Sequence, residues 1–76
     1  MAIGAYVLLK AEPNKTASVT ERLKRVKGLE VHEVLGPYDI IVSIEAATPE
    51  DLTAILRSGI RVIPGITDTM TCTWMD

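Results

Sequence analysis

The order of strand and helix signals is the feature of this sequence that most restricts its fold. Apolar segments with strand character alternate with two helical patterns, in the order strand, helix, strand, strand, helix, strand. Two strand–helix–strand halves of similar length are typical of a ferredoxin-like α+β sandwich. The sequence therefore predicts one βαββαβ domain over residues 1–76, in which two helices cover one face of an antiparallel four-stranded sheet.

The two helices are predicted from apolar spacing and from their end signals. The first spans 16–27, carries an apolar stripe, and is followed by Gly28 at the position of a C-terminal cap. The second begins with Thr48 as N-cap and Pro49 at the first helical position, followed by two acidic residues. The stripes that we expect to be buried are Val19, Leu23 and Val26 in the first helix and Leu52, Ile55 and Leu56 in the second.

The four strands are predicted from runs of apolar and β-branched residues bounded by turn residues. They cover 2–10, 29–35, 39–46 and 66–75. Gly36-Pro37 separates the second strand from the third, and this short connection indicates a hairpin. Ile40, Val42 and Ile44 alternate along the third strand and form its predicted buried face.

The apolar content indicates self-association. A chain of 76 residues, 47% of them apolar and none of them Phe, can bury only about 60% of the surface of its unfolded form. Helices on one side of the sheet leave the other side uncovered, and Tyr6, Leu8 and Ile41 belong to that side. Because monomers rarely expose such an apolar patch, the sequence predicts a homo-oligomer, at least a dimer.

Charge and cysteine content exclude several classes of function. The net charge of −2 gives no electrostatic basis for nucleic-acid binding. The basic residues between positions 22 and 27 are typical of a solvated helix end. Cys72 is the only cysteine, so neither an intrachain disulfide nor a cysteine metal site is expected, and no cofactor is predicted. The apolar run near the N-terminus is too short to span a bilayer and lacks a basic leader, which predicts a cytoplasmic protein without membrane contact.

Catalytic patterns are not apparent in the sequence. His32 lies within a predicted strand, where a surface or interface position is expected. Cys72 lies in an alternating strand, where a thiol is usually a small buried apolar group. The sequence therefore predicts a protein that is not an enzyme.

Two short segments carry polar groups at the ends of strands. The first is Gly36-Pro37-Tyr38-Asp39 at the hairpin, and the second is a row of threonines in the last strand: Thr67, Thr69, Thr71 and Thr73. Each has an ordinary explanation, since Gly-Pro sequences form turns and threonine favours strands. Together, a carboxylate and several hydroxyls are the groups that a small zwitterion requires.

The same segments resemble the Lrp/AsnC family of amino-acid-responsive transcription regulators, specifically its C-terminal effector-binding and oligomerisation (RAM) domain. The resemblance rests on VLGPYDI at 34–40 and IPGITDTMT at 63–71, with the intervening helix at matching separation. It implies that Gly36, Tyr38, Asp39, Thr69 and Thr71 bind a small effector, an amino acid. It also implies dimers paired through their sheet faces, a dimeric α/β-barrel-like assembly, and rings of four or five such dimers.

The sequence departs from full-length members of that family in one respect. Those members carry an N-terminal helix-turn-helix domain, whereas Met1 here directly precedes the first predicted strand. The resemblance therefore points to the stand-alone subgroup, which modulates transcription through helix-turn-helix paralogues without contacting DNA itself.

Two further interpretations share the βαββαβ order. One is a small dimeric α/β-barrel enzyme of the monooxygenase type, which would need a closed cavity lined by residues such as His, Asn, Trp or Tyr. The other is an ACT-type amino-acid-binding module, although the segment after the first strand, Ala11-Glu12-Pro13-Asn14, lacks the glycines expected there.

Overall fold

A computed structural model describes residues 3–75 and has the predicted element order. The strands are β1 (Ile3–Ala11), β2 (Leu29–Glu33), β3 (Ile40–Ala46) and β4 (Ile66–Met75), and the helices are α1 (Thr16–Lys24) and α2 (Pro49–Ile55). The sheet has the order β2-β3-β1-β4, and each neighbouring pair is antiparallel. The predicted fold class, including the hairpin between β2 and β3, is confirmed.

The hydrophobic core lies between the sheet and the two helices. Alternate residues of β1 and β3 point into it, and the predicted face of Ile40, Val42 and Ile44 is fully buried. The core cluster consists of Ala5, Val7, Leu9, Ala11, Val19, Leu23, Ile40, Val42, Ile44, Leu52, Ile60 and Ile63. The side chains of this cluster are all aliphatic.

Helix α1 is shorter than predicted and ends at Lys24. The N–H groups of Arg25 and Val26 donate to carbonyls three residues earlier, at 3.2 and 3.0 Å, which tightens the last turn and ends the α-helix. Gly28 then reverses the chain with φ of +88°. Val26, at the end of the predicted stripe, is therefore only partly buried.

Helix α2 begins as predicted but continues beyond its predicted stripe. The Thr48 hydroxyl oxygen accepts a hydrogen bond from the Asp51 N–H at 3.1 Å, so the N-cap is confirmed. A π-helical segment, Leu56–Ile60, extends α2 and buries Ile60 completely. Within residues 3–75, no helix is long and apolar enough to cross a membrane.

The face of the sheet opposite the helices is open and mainly apolar at its centre. Tyr6 lies opposite Cys72, and Leu8 lies between Ile41 and Met70. We call the residues Tyr6, Leu8, Ile41, Met70, Cys72 and Trp74 the open face. Cys72 is exposed there, so its predicted burial was wrong; the helices cover only the other side of β4.

Trp74 lies on the open face against Gly4 of β1. A Cβ atom at position 4 would overlap the indole ring and the Ile44 carbonyl oxygen, so only glycine fits beneath the ring. The indole Nε1 is buried and has no hydrogen-bond partner within the part of the chain that the structure describes.

Candidate functional site

The Gly-Pro-Tyr-Asp segment forms the loop of the hairpin between β2 and β3. The Val34 N–H donates to the Asp39 carbonyl oxygen at 2.9 Å, which closes the loop over 35–38. Gly36 has φ of +155°, a conformation that residues with side chains rarely adopt. The hairpin therefore has a defined shape at the end of the sheet where β1 ends.

Asp39 is bound to β1 through both its backbone and its side chain. Its N–H donates to the Leu9 carbonyl oxygen at 2.9 Å, and its Oδ2 accepts a hydrogen bond from the Ala11 N–H at 3.0 Å. The carboxylate thus takes the place of a strand carbonyl one residue before β3 begins. A hydrogen bond to an ionised acceptor is stronger than one between neutral groups. Asp39 therefore has a structural role, because it joins the hairpin to β1.

A depression of about 360 Å³ adjoins Asp39 and is open to solvent. It is lined by Thr16, Glu33, Val34, Leu35 and Asp39. Glu33 lies opposite Ile40, the residue that follows Asp39. The register of the hairpin, if it is recognised in the sequence, therefore places Glu33 beside Asp39. Thr16 has no such local signal, because its position depends on how α1 packs against the sheet.

Tyr38 extends from the hairpin toward β4 on the open face. Its hydroxyl donates to the Met70 sulfur at 3.8 Å, and the Lys10 ammonium lies 5.5 Å from the centre of its ring. Met70 and Lys10 alternate with the buried residues of their strands, which places this contact on the side away from the helices. Tyr38 therefore links the hairpin to the opposite edge of the sheet.

Thr69 and Thr71 lie on the helix side of β4. They pair with Leu9 and Val7 of β1, two residues of the core, and both threonines are partly buried. The pairing of β1 and β4 shifts between Lys10, which pairs with Asp68, and Ala11, which pairs with Ile66, so Thr67 lies at an irregularity in the ladder. The regular row is therefore shorter than the sequence suggested.

The predicted site residues gather at one end of the sheet without forming a single pocket. Leu9 accepts the Asp39 N–H on one side and pairs with Thr69 on the other, so the backbones of Asp39 and Thr69 are about 10 Å apart, two strand spacings. Tyr38 and the two threonines lie on opposite faces of the sheet. One chain alone therefore presents these groups on separate surfaces, and their role in ligand binding remains a prediction.

No metal centre is formed by the described residues. Within 3–75, no three His, Cys, Asp or Glu side chains are close enough together to hold an ion. His32 is exposed on β2 opposite Ile41, as expected for a surface or interface residue.

Known structures share this fold over nearly the whole chain. The protein TTHA0845 from Thermus thermophilus superposes with a TM-score of 0.89 at 27% identity, over 97% of this chain and 94% of that one. AsnC of E. coli superposes with a TM-score of 0.86 over 97% of this chain and 51% of its own. Its identity is 18%, so that likeness shows the fold alone.

Sequence similarity extends to a segment of a longer protein. The homocitrate synthase of Sulfurisphaera tokodaii is 41% identical over 71 residues, which cover 91% of this chain and 15% of that protein. The chain thus spans about 15% of the length of the curated relatives that it matches.

A family model matches almost the entire sequence. The model described as the Lrp/AsnC ligand binding domain matches residues 4–76, a range that includes the hairpin, the threonine row and both helices. The chain therefore belongs to the Lrp/AsnC ligand-binding domain family.

Proposed function

We propose that the chain is a non-enzymatic sensor that binds an amino acid, forms a homo-oligomer and modulates transcription through helix-turn-helix partners. The observation that carries this proposal is the match of the ligand-binding family model to residues 4–76. Its net charge of −2 argues against direct binding to DNA, so its effect on transcription requires such a partner.

The proposed ligand-binding residues are Gly36, Tyr38, Asp39, Thr69 and Thr71. The second carboxylate oxygen of Asp39, Oδ1, pairs with the effector ammonium, while Oδ2 keeps its bond to the Ala11 N–H. The threonine hydroxyls donate to the effector carboxylate. Because Tyr38 and the threonines lie on different faces of the sheet, a neighbouring subunit completes each site.

The proposed oligomer begins with a dimer paired through the open face. Tyr6 and Met70 are each about half exposed there, at 50% and 49%, which is unusual for large apolar side chains at the centre of a sheet. A facing subunit covers these apolar side chains and removes them from water.

A second candidate function is regulation of a metabolic enzyme by direct association. The observation that favours it is the 41% identity to a segment of a homocitrate synthase, against 18% identity to AsnC of E. coli. Effector-dependent binding of the purified chain to a helix-turn-helix paralogue supports the first candidate. Effector-dependent change in the turnover of a homocitrate synthase from the same organism supports the second.

The enzyme and ACT-type interpretations have less support. A monooxygenase of this fold needs a closed cavity between sheet and helices, whereas the depression beside Asp39 is open to solvent. An ACT-type module is expected to have a glycine-rich loop after the first strand, and here Pro13–Lys15 forms a 3-10 turn that leads into α1.

The test is a thermal-shift screen of the twenty amino acids at a fixed protein concentration. A ligand present at 100 times its dissociation constant adds about 2.7 kcal/mol to the free energy of unfolding. For a domain of this size that corresponds to a rise in Tm of about 10 °C or more. The proposal predicts such a rise for one amino acid or a few similar ones. Identical melting curves in all twenty at millimolar concentration would overturn it.

A further inference from the structure

The depression beside Asp39 contains a second carboxylate. Glu33 is the last residue of β2, and it lines the same depression as Asp39. Glu33 is exposed and Asp39 is partly buried. No Lys or Arg lines the depression, and the ion pairs within residues 3–75 involve other acidic residues. The depression therefore carries two negative charges that no cationic side chain of the described residues neutralises by direct contact.

The remaining walls of the depression fit an aliphatic chain. Val34 and Leu35 supply apolar groups. Thr16 supplies a hydroxyl that donates to the Glu12 carbonyl oxygen at 3.2 Å, so its oxygen is left to act as an acceptor. The side chains of the lining thus offer a ligand apolar contacts and hydrogen-bond acceptors. The volume of about 360 Å³ lies in the range of small-molecule sites.

We propose that the effector is an amino acid with a positively charged side chain, such as lysine or ornithine, and that Glu33 selects it. This inference rests on the proposed function and names the class of effector for that site. The α-ammonium pairs with Asp39 Oδ1, and the side-chain ammonium pairs with the Glu33 carboxylate. The aliphatic stem between these two charges lies along Val34.

Amino acids of the other classes suit this lining less well. A neutral side chain displaces water from the Glu33 carboxylate without supplying a counter-charge, and an acidic side chain adds a third negative charge. A neighbouring subunit is proposed to complete the site. Its closure over the depression lowers the local dielectric and strengthens the discrimination between these charges.

The first experiment compares lysine with norleucine by calorimetric titration of the wild-type chain. The two amino acids have the same unbranched carbon chain, and norleucine lacks the side-chain ammonium. We expect lysine to bind at least about tenfold more tightly than norleucine. Added salt should reduce this preference, because it screens the pairing of the side-chain ammonium with Glu33.

The second experiment repeats both titrations on two variants. Glu33→Gln removes the charge at nearly constant side-chain volume, and the ratio of the two dissociation constants should fall close to unity. Glu50→Gln is the matched control, because it removes an exposed carboxylate at the start of α2, outside the depression. It should keep the wild-type ratio. Circular dichroism checks that both variants are folded, and a loss of affinity common to the two ligands leaves the ratio unchanged.

The outcomes separate the choice of effector from the proposed function. If norleucine binds as tightly as lysine, or if Glu33→Gln keeps the wild-type ratio, Glu33 does not select the effector and the proposed sensor stands. A preference for aspartate or glutamate in the thermal-shift screen overturns the inference in the same way. If none of the twenty amino acids binds, the inference and the proposed function are both overturned.

Discussion

At the scale of single residues, the Asp39 carboxylate has one structural contact and one proposed ligand contact. Its Oδ2 holds the N–H of Ala11, a residue 28 positions away in sequence, and its Oδ1 is the proposed partner of the effector ammonium. The resemblance in sequence predicts only an effector-binding role for Asp39. The bond to Ala11 changes that expectation, because removing the carboxylate leaves a partly buried donor without its acceptor.

Asp39→Ala should therefore lower both the stability and the effector affinity. The free energy of unfolding is expected to fall by about 1–3 kcal/mol, the cost of an unsatisfied buried donor. Asp39→Asn is the matched control, since its amide oxygen still accepts the Ala11 N–H while the charge is lost. Chemical denaturation and calorimetric titration of both variants separate the two roles. If Asp39→Asn binds the effector as tightly as the wild type, Asp39 has only its structural role.

At the scale of secondary-structure elements, the beginning of α2 shows how local chemistry determines where a helix starts. Thr48 has an extended backbone and accepts the Asp51 N–H, Pro49 occupies the first helical position, and Glu50 and Asp51 lie near the positive end of the helix dipole. All of these features lie within four consecutive residues. They were predicted correctly because no distant contact is needed to specify them.

Thr48→Ala should lower Tm without changing the oligomer. Loss of an N-cap side chain costs about 1 kcal/mol, which corresponds to a fall in Tm of about 4–8 °C for a domain of this size. Thr48→Ser keeps the accepting oxygen and serves as the control, with a Tm close to that of the wild type. Differential scanning calorimetry at one protein concentration checks both. Equal Tm values for alanine and serine at this position would show that the cap contributes nothing to stability.

The sequence predicts those parts of the fold and site that local signals specify. Strand alternation and helix end signals are local, and they were sufficient for the element order and for most of the core. The burial of Ile60 and Ile63 was missed, because the π-helical segment changes the spacing of the stripe and the sheet decides which side is covered. The separation of Tyr38 from Thr71 depends on the pairing of β1 with β4, which no local pattern specifies.

At the scale of the whole molecule, the distribution of apolar and charged groups gives the two sides of the fold different properties. The helix side carries charged residues that face the solvent. Two of them, Glu21 and Arg25, form an exposed ion pair at 2.7 Å. Such an exposed pair adds little to stability. The open face instead carries Tyr6, Leu8 and Met70 at its centre, and this side is the proposed dimer surface.

Tyr6→Glu should convert the dimer into a monomer. A carboxylate at the centre of a paired apolar face is desolvated without a counter-charge, and its twofold-related copy lies nearby. Val62→Glu is the control, because it adds the same charge on the helix side. Light scattering at micromolar concentration gives the masses, and circular dichroism checks that both variants are folded. A Tyr6→Glu variant that keeps the wild-type mass would place the dimer contact elsewhere.

The first and last strands along the chain, β1 and β4, are neighbours in the sheet, and the beginning of β1 lies beside the end of β4. Ile3, where β1 begins, is the cross-strand partner of Met75, where β4 ends, and directly opposed residues of an antiparallel pair have Cα atoms about 4.5–5.5 Å apart. A polypeptide can therefore enter and leave this fold at one point on its surface. A longer protein can carry the domain as a side branch without stretching its own structure, and a few residues would suffice to join the two ends in a circular permutant.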